Sequence, residues 1–280
     1  MKIGFVGLGQ MGSVMAPHLL GKTREVIGHD LKNPGNLPAA LRFEHELAGL
    51  AECEVIITML PDGAVVTRVV ETLLDAGYGG FVIDMSSSHP DVSRKLETRL
   101  ADRGLDFLDA PVSGGVSRAR NAELMIMAGG STQAYGKAAP LLALMGNPLH
   151  LGKAGCGHAM KALNNYVSAA GLIASFEALA TARQLGIEPA RFLEVINRST
   201  GRNNTTEVKL ERFVLSEQFD SGFALALMAK DVAIANSLMQ AAEFDGPVTE
   251  AVLQQLRDGL ADLGTEADHT ALFRHLTRPR

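Results

Sequence analysis

Three polar residues fall on one face of what the sequence predicts to be a long helix. Lys161, Asn165 and Ser168 are spaced i, i+4 and i+7, so a helix places them on the same side. A lysine can take the proton of an alcohol as hydride leaves, provided that burial or a neighbouring cation lowers its pKa toward neutrality. The spacing therefore indicates proton transfer on a hydroxyl group, with a solvated helix face as the alternative.

A glycine-rich loop lies close to the N-terminus, with the sequence Gly7-Leu8-Gly9-Gln10-Met11-Gly12. It follows a predicted strand and opens a predicted helix, which is the context in which GxGxxG binds the pyrophosphate of a dinucleotide. Gly7 permits the tight turn, Gly9 lets the pyrophosphate approach the backbone, and Gly12 lets helix and strand pack closely. The loop predicts a dinucleotide site, and a glycine turn without a ligand is the alternative.

Asp30 ends the second predicted strand, 18 residues after Gly12. A carboxylate there accepts hydrogen bonds from the adenosine ribose hydroxyls and repels a 2′-phosphate. NAD is therefore the expected cofactor. NADP stays possible, because the nearby cation of Lys32 could tolerate the phosphate.

Later strand ends carry further polar and small residues. Leu60-Pro61-Asp62, residues 84–88 and residues 109–115 each follow a predicted strand, and ligands of doubly wound sheets bind beyond the carboxyl ends of the strands. Gly114 and Gly115 would let a small anion approach, with backbone N–H groups and the Ser113 hydroxyl as donors. These residues predict a carboxylate pocket, and simple turn chemistry is the alternative.

The first half of the sequence alternates predicted strands and helices, and the domain that they form would position the residues described above. Apolar runs at 3–6, 26–28, 55–59, 81–84, 105–108 and 124–127 are typical of strands, and helical spacing occurs at 11–20, 64–74, 90–100 and 132–144. The alternation predicts an α/β domain with a doubly wound, mostly parallel sheet, over residues 1–156.

The second half has a different pattern. Residues 157–185 contain no proline and read as one helix of about 43 Å, which is too long for an ordinary crossover. Helices are predicted at 189–197, 206–215, 224–243, 248–262 and 267–276. The sequence thus predicts a Rossmann domain (1–156), a long interdomain helix (157–185) and an all-helical C-terminal domain (186–280).

Composition argues against several classes of partner. The formal net charge is -5, with 26 basic and 31 acidic residues and no block of like charge, which disfavours nucleic acid and anionic membrane surfaces. The two cysteines, Cys53 and Cys156, indicate neither a disulfide framework nor a metal site. The chain lacks an apolar run of about 20 residues, so we expect a cytoplasmic protein with a small-molecule substrate.

The motifs together resemble the β-hydroxyacid dehydrogenases, the family of 3-hydroxyisobutyrate dehydrogenase and tartronate semialdehyde reductase. The resemblance runs from end to end and rests on the glycine loop, on residues 109–115, on residues 155–165 and on Lys230-Asp231. Residues 264–272, which include Ala267-Asp268-His269, are similar to the C-terminus of the tartronate semialdehyde reductase branch.

The resemblance implies an NAD(P)-dependent oxidoreductase that acts on a small 3-hydroxy acid or its semialdehyde. It implies a 6-phosphogluconate dehydrogenase-like C-terminal domain and a homodimer or homotetramer. Lys161 would be the general acid or base, with substrate bound by Ser113, Gly114, Gly115 and Asn165. Leu60, Pro61, Ser87 and Lys230 would bind the cofactor beside residues 7–12 and Asp30.

Two departures from the family pattern concern the substrate. Arg118, Ala122 and Glu123 stand where the family often has two further glycines and a threonine, and residues 203–206 also differ. Two alternative functions stay open: an imine reductase on the same scaffold, against which Lys161 argues, and a non-catalytic NAD(H)-binding sensor.

Overall fold

In the computed structural model, which describes residues 1–278, the chain divides into two units, Met1–Lys161 and Ala162–Arg280. The first unit is built on a β-sheet and the second on helices. Within residues 1–278, no helix has both the length and the apolar composition that crossing a membrane requires.

The sheet of the first unit contains nine strands, in the order β3-β2-β1-β4-β5-β6-β8-β7, with β9 paired to β8. All pairs from β3 to β6 are parallel, whereas β8 runs antiparallel to β6 and β7 and parallel to β9. The strands are β1 Lys2–Val6, β2 Glu25–His29, β3 Arg42–Phe43, β4 Val55–Thr58, β5 Phe81–Asp84, β6 Phe107–Asp109, β7 Val112–Ser113, β8 Leu124–Gly129 and β9 Gly146–Gly152.

Apolar residues cover both faces of this sheet. Ile57 and Ile83 belong to one buried cluster, and their chain neighbours Ile56 and Val82 belong to another. Because successive side chains of a strand point to opposite faces, the two clusters lie on opposite sides of the sheet. Strands buried on both faces explain why the sequence runs are apolar almost throughout, and the predicted doubly wound sheet is confirmed.

Five helices accompany the strands: α1 Gly12–Met15, α2 Gly63–Asp75, α3 Pro90–Ala101, α4 Gly115–Arg120 and α5 Thr132–Leu142. The predicted helix at 11–20 is wrong in its second half, which is a 3₁₀ segment, Ala16–Leu19. Pro17 has no N–H to donate to the fourth residue before it, so a regular α-helix cannot continue through this position without a missing bond.

The long helix α6 spans Cys156–Gln184, 29 residues. It begins in the first unit and continues in the second. The predicted long helix is thus present, one residue earlier at each end than expected.

The second unit contains α7 Pro189–Asn197, a π-helix Thr205–Leu215, α8 Leu225–Ala241, α9 Pro247–Leu263 and α10 Leu272–Leu276. Its core includes Leu172, Phe176, Leu210, Val232 and Leu256, all fully buried. The predicted helix at 206–215 has the expected position, but its hydrogen bonding is that of a π-helix.

Candidate active site

The glycine loop has the backbone geometry that its sequence predicts. Gly7 has φ +97°, a conformation that favours glycine, and its N–H donates to His29 O at 2.9 Å. A Cβ on Gly12 would lie 1.9 Å from Gly7 O, whereas a Cβ on Gly9 would meet no atom within 4 Å. Gly7 and Gly12 are therefore required for the turn itself, and Gly9 leaves open space over the backbone, as a bound pyrophosphate needs.

The Asp30 carboxylate lies against this loop. Its Oδ2 accepts a hydrogen bond of 2.6 Å from the backbone N–H of Leu8. The side chain is only partly buried, so it can accept further hydrogen bonds from a ligand. An open glycine backbone beside a fixed carboxylate fits the pyrophosphate and ribose of a dinucleotide.

The strand ends predicted to contact the cofactor lie at the same edge. Leu60 Cδ2 is 3.1 Å from the position that a Cβ on Gly7 would take. The N–H of Leu60 donates to Ser86 Oγ at 2.9 Å, which joins the end of β4 to the end of β5. Pro61 and Ser87 are the chain neighbours of these two residues; Pro61 is exposed and Ser87 is partly exposed.

Beneath these segments lies a buried polar network. Asp84 Oδ1 accepts from the Thr58 hydroxyl at 2.9 Å and from the Ser86 N–H at 3.0 Å. The His158 ring lies between Ser93 Oγ, 2.7 Å from Nδ1, and Ser86 O, 3.1 Å from Nε2. His158 is almost fully buried, as a histidine of the core is.

Asp109 connects the sheet to the start of α6. Its two carboxylate oxygens accept from the backbone N–H groups of Gly155, at 2.7 Å, and His158, at 2.9 Å. Burial raises the pKa of Asp109, while these hydrogen bonds and the adjacent His158 oppose the shift. A carboxylate in this position stabilises the N-terminal turn, because the first N–H groups of a helix have no partner within it.

Lys161 lies on the second turn of α6 and reaches the predicted carboxylate pocket. Its Nζ donates to Val112 O at 2.8 Å. Val112 immediately precedes Ser113 and Gly114, and Gly114 has φ +136° and is exposed. The structure thus brings the predicted proton-transfer group together with the segment predicted to bind the substrate carboxylate.

The other predicted residues lie in the second unit. Asn165, one helical turn after Lys161 on α6, donates from Nδ2 to Asp231 Oδ2 at 2.6 Å, and both side chains are buried. Lys230 lies beside this pair on α8, with its Nζ 4.0 Å from Asp231 Oδ1. Asn165, Asp231 and Lys230 therefore form one polar cluster.

The sequence did not reveal the roles of two residues. Asp109 was part of the predicted substrate segment, yet its side chain binds the start of α6, 46 residues away along the chain. Asp231 was part of the Lys230-Asp231 motif on which the resemblance rests, but its hydrogen bond with Asn165 was not predicted. Spacing along a sequence carries no signal for either contact, because each joins elements that meet only in the folded chain.

The fold and the glycine loop define a class of protein, the Rossmann-type proteins that bind a dinucleotide. Residues 2–159 match the NAD-binding domain of 6-phosphogluconate dehydrogenase. Residues 155–276 match the family described as NAD-binding of NADP-dependent 3-hydroxyisobutyrate dehydrogenase.

Individual relatives agree with these matches. A 2-(hydroxymethyl)glutarate dehydrogenase of Eubacterium barkeri is 34% identical over 277 residues, which cover 95% of this chain and 92% of the relative. An NAD-dependent L-serine dehydrogenase of Pseudomonas aeruginosa is 32% identical and covers 91% of each chain. The solved structure of Mycobacterium tuberculosis 3-hydroxyisobutyrate dehydrogenase with L-serine has a TM-score of 0.87, 32% identity and 99% coverage of both chains.

The chain belongs to the 3-hydroxyisobutyrate dehydrogenase family. The predicted resemblance to the β-hydroxyacid dehydrogenases is thereby confirmed, as are the class of enzyme, an oxidoreductase acting on hydroxy acids, and the use of NAD(P).

Proposed function

We propose that this enzyme oxidises the primary alcohol of a 2-substituted 3-hydroxypropanoate with NAD, or reduces the corresponding semialdehyde, with Lys161 as the general acid or base. The observation that carries the proposal is the hydrogen bond of 2.8 Å from Lys161 Nζ to Val112 O, beside Ser113 and Gly114. It holds the amine next to the segment that would bind the substrate carboxylate.

Lys161 acts on the hydroxyl proton. When bound, the nicotinamide ring supplies the hydride acceptor for oxidation and the hydride donor for reduction. In oxidation the neutral amine of Lys161 takes the hydroxyl proton, so that the carbonyl forms without leaving charge on oxygen. In reduction its ammonium returns that proton. Lys161 Nζ donates one hydrogen bond to the carbonyl of Val112, and this bond fixes the position of the amine for proton transfer.

The pocket segment binds the acid end of the substrate. The Ser113 hydroxyl and the backbone N–H groups of Gly114 and Gly115 are the donors for a carboxylate. Asn165 would orient the substrate from the following turn of α6, and its bond to Asp231 fixes which way its amide points. Lys230 would contact the nicotinamide end of the cofactor.

The names of the relatives support one substrate class. 3-Hydroxyisobutyrate, 2-(hydroxymethyl)glutarate and L-serine share the skeleton HO–CH₂–CHR–COO⁻ and differ only in R, which is a methyl, a carboxyethyl or an ammonium group. An enzyme that binds the carboxylate and reacts at the hydroxymethyl carbon fits this shared part.

Cofactor choice, assembly and location complete the proposal. The Asp30 carboxylate favours NAD over NADP by repelling a 2′-phosphate. Exposed apolar side chains on α6, α7 and the π-helix, among them Val167, Val195 and Val208, support a homodimer or homotetramer, which light scattering would measure. Both cysteines are free, which supports a cytoplasmic location.

The test compares Lys161→Ala with Lys153→Ala, an exposed lysine eight residues earlier. Oxidation of 3-hydroxyisobutyrate, L-serine and 2-(hydroxymethyl)glutarate with NAD should fall roughly 10²- to 10⁴-fold in Lys161→Ala and stay unchanged in Lys153→Ala. NAD affinity, measured by calorimetry, should be the same in all three proteins. Full activity of Lys161→Ala would show that another group moves the proton.

The same preparation separates the two alternatives. Reduction of cyclic imines without action on any hydroxy acid would support an imine reductase. Tight binding of NAD(H) without turnover of either substrate class would support a sensor.

A further inference from the structure

One arginine lies over the pocket segment without belonging to the family pattern. A Cβ on Gly114 would be 2.8 Å from both Cβ and Cδ of Arg118, so the aliphatic part of that side chain covers the Gly114 backbone. The guanidinium carbon is only two bonds beyond Cδ. Arg118 therefore carries its charge to the immediate surroundings of Ser113 and Gly114.

This charge is available to a ligand. Arg118 is exposed, and within residues 1–278 no carboxylate lies within 4.0 Å of its guanidinium nitrogens. Helix α4 itself carries no acidic residue. An arginine fork matches the two oxygens of a carboxylate, and such charge-assisted pairs are among the stronger hydrogen bonds.

The position of Arg118 relative to Lys161 indicates which part of the substrate Arg118 would bind. Lys161 contacts Val112, at one end of the three-residue segment that ends in Gly114, and Arg118 contacts Gly114, at the other end. The reacting alcohol belongs beside Lys161, and the hydroxyl and N–H donors of Ser113, Gly114 and Gly115 suffice for the shared carboxylate. The exposed guanidinium is left for the variable group R.

We propose that Arg118 forms an anion subsite and that the preferred substrate is a 2-substituted 3-hydroxypropanoate whose R group carries a second carboxylate. This inference rests on the proposed function, because it uses the same pocket and the same skeleton. It adds the chemical class of R, which neither the fold nor the family assigns to this chain.

The test uses Arg118→Gln with Arg120→Gln as a matched control. Arg120 is on the same helix, is exposed and loses the same charge, so long-range electrostatic effects are equal in the two variants. The probes are 2-(hydroxymethyl)glutarate, with a carboxylate in R, and 3-hydroxyisobutyrate, with a methyl group. Steady-state kcat/KM for both is measured with NAD.

Arg118→Gln should lower kcat/KM for the diacid roughly ten- to a hundredfold and change the value for 3-hydroxyisobutyrate little, whereas Arg120→Gln should change neither. Arg118→Lys should restore part of the loss, because the charge returns without the planar fork. Glutarate should raise the melting temperature of the NAD-bound wild-type protein more than butyrate does, and this difference should disappear in Arg118→Gln.

Two results would overturn the subsite. An equal loss on both probes would mean that Arg118 binds the shared carboxylate, and no loss on either would mean that it only covers Gly114. Both leave the proposed function intact, provided that turnover of 3-hydroxyisobutyrate still requires Lys161. Failure of the Lys161 test would instead remove the proposed function itself.

Discussion

The Asp109 carboxylate accepts a hydrogen bond from the backbone N–H of His158, at 2.9 Å, three residues before Lys161. Its other oxygen accepts from Gly155, so a single buried side chain at the end of β6 fixes the first turn of α6. Gly157 allows this approach, since a Cβ there would lie 2.8 Å from Asp109 Oδ2 and 2.2 Å from Met127 O. The position of Lys161, three residues after His158 on α6, therefore depends on the buried carboxylate of Asp109.

Replacing Asp109 with Asn should destabilise the protein and reduce turnover. The amide nitrogen of Asn would face a backbone N–H in place of an acceptor, which leaves a buried donor unsatisfied at a cost of about 1–3 kcal/mol. Urea unfolding measures this loss, and kcat should fall as the start of α6 shifts. The control is Asp106→Asn, which removes only a surface ion pair with Lys137 and should cost about 0–1 kcal/mol. Equal stability of the two variants would contradict the role of Asp109.

The glycine loop offers a pair of matched substitutions. In Gly12→Ala the new methyl group would lie 1.9 Å from Gly7 O, so the backbone must shift and the fold should lose stability. In Gly9→Ala the methyl group meets no atom of the protein within 4 Å, so the fold should remain stable. Gly9→Ala should nevertheless bind NAD more weakly, because the methyl group occupies the space over the backbone that a pyrophosphate needs.

Thermal unfolding and NAD titration by calorimetry check both halves of this prediction. Unchanged NAD affinity in a folded Gly9→Ala protein would mean that the loop does not hold the pyrophosphate.

Asp30→Asn should relax the preference for NAD. An amide oxygen can still accept from the Leu8 N–H, so the loop geometry is retained, but the charge that repels a 2′-phosphate is gone. We expect kcat/KM with NADP to rise about tenfold or more relative to that with NAD. Asp75→Asn, an exposed site at the end of α2, is the control for the change in net charge. If the ratio of kcat/KM with NADP to kcat/KM with NAD is unchanged, Asp30 does not discriminate between the two cofactors.

Much of the fold can be predicted from the sequence, because local patterns of proline and apolar residues determine where its helices and strands form. The boundaries of α7, Pro189–Asn197, match the prediction because proline marks the start of a helix at its first position. The six predicted strands are all present, since apolar runs are typical of doubly covered parallel strands. Strand β9, Gly146–Gly152, was missed because Gly146 and Pro148 favour turns over strands, and only its pairing with β8 makes it a strand.

The candidate site can be predicted from the sequence only in part, because some of its contacts join residues that are distant in sequence. The glycine loop and Lys161 belong to motifs whose residues are neighbours in sequence or on one helix. The contacts of Asp109 with α6 and of Asp231 with Asn165 join positions 46 and 66 residues apart, and only the packing of the elements creates them. Arg118 and Gly114 are only four residues apart, but their contact depends on the left-handed backbone at Gly114, which the sequence pattern did not reveal.

A buried histidine in the second unit should make stability depend on pH. Burial lowers the pKa of His269 from 6.5 to about 4; the charge of Lys209 acts in the same direction, and the Asp268 carboxylate opposes it. Nδ1 of His269 contacts Phe223 O at 3.0 Å, whereas Nε2 has no hydrogen-bond partner among residues 1–278. A proton on this ring would therefore be poorly solvated.

The sign follows from proton binding in the two states. Between pH 6.5 and about 4 the unfolded chain binds a proton at this histidine and the folded chain does not, so the free energy of unfolding decreases as pH falls. The contribution is complete above pH 6.5 and its loss toward pH 4 amounts to about 3 kcal/mol. His269→Phe should remove this part of the pH dependence in urea unfolding, even though it also loses the bond to Phe223 O. His45→Gln, at an exposed site, should retain it, and an equally steep dependence in His269→Phe would assign the effect to other groups.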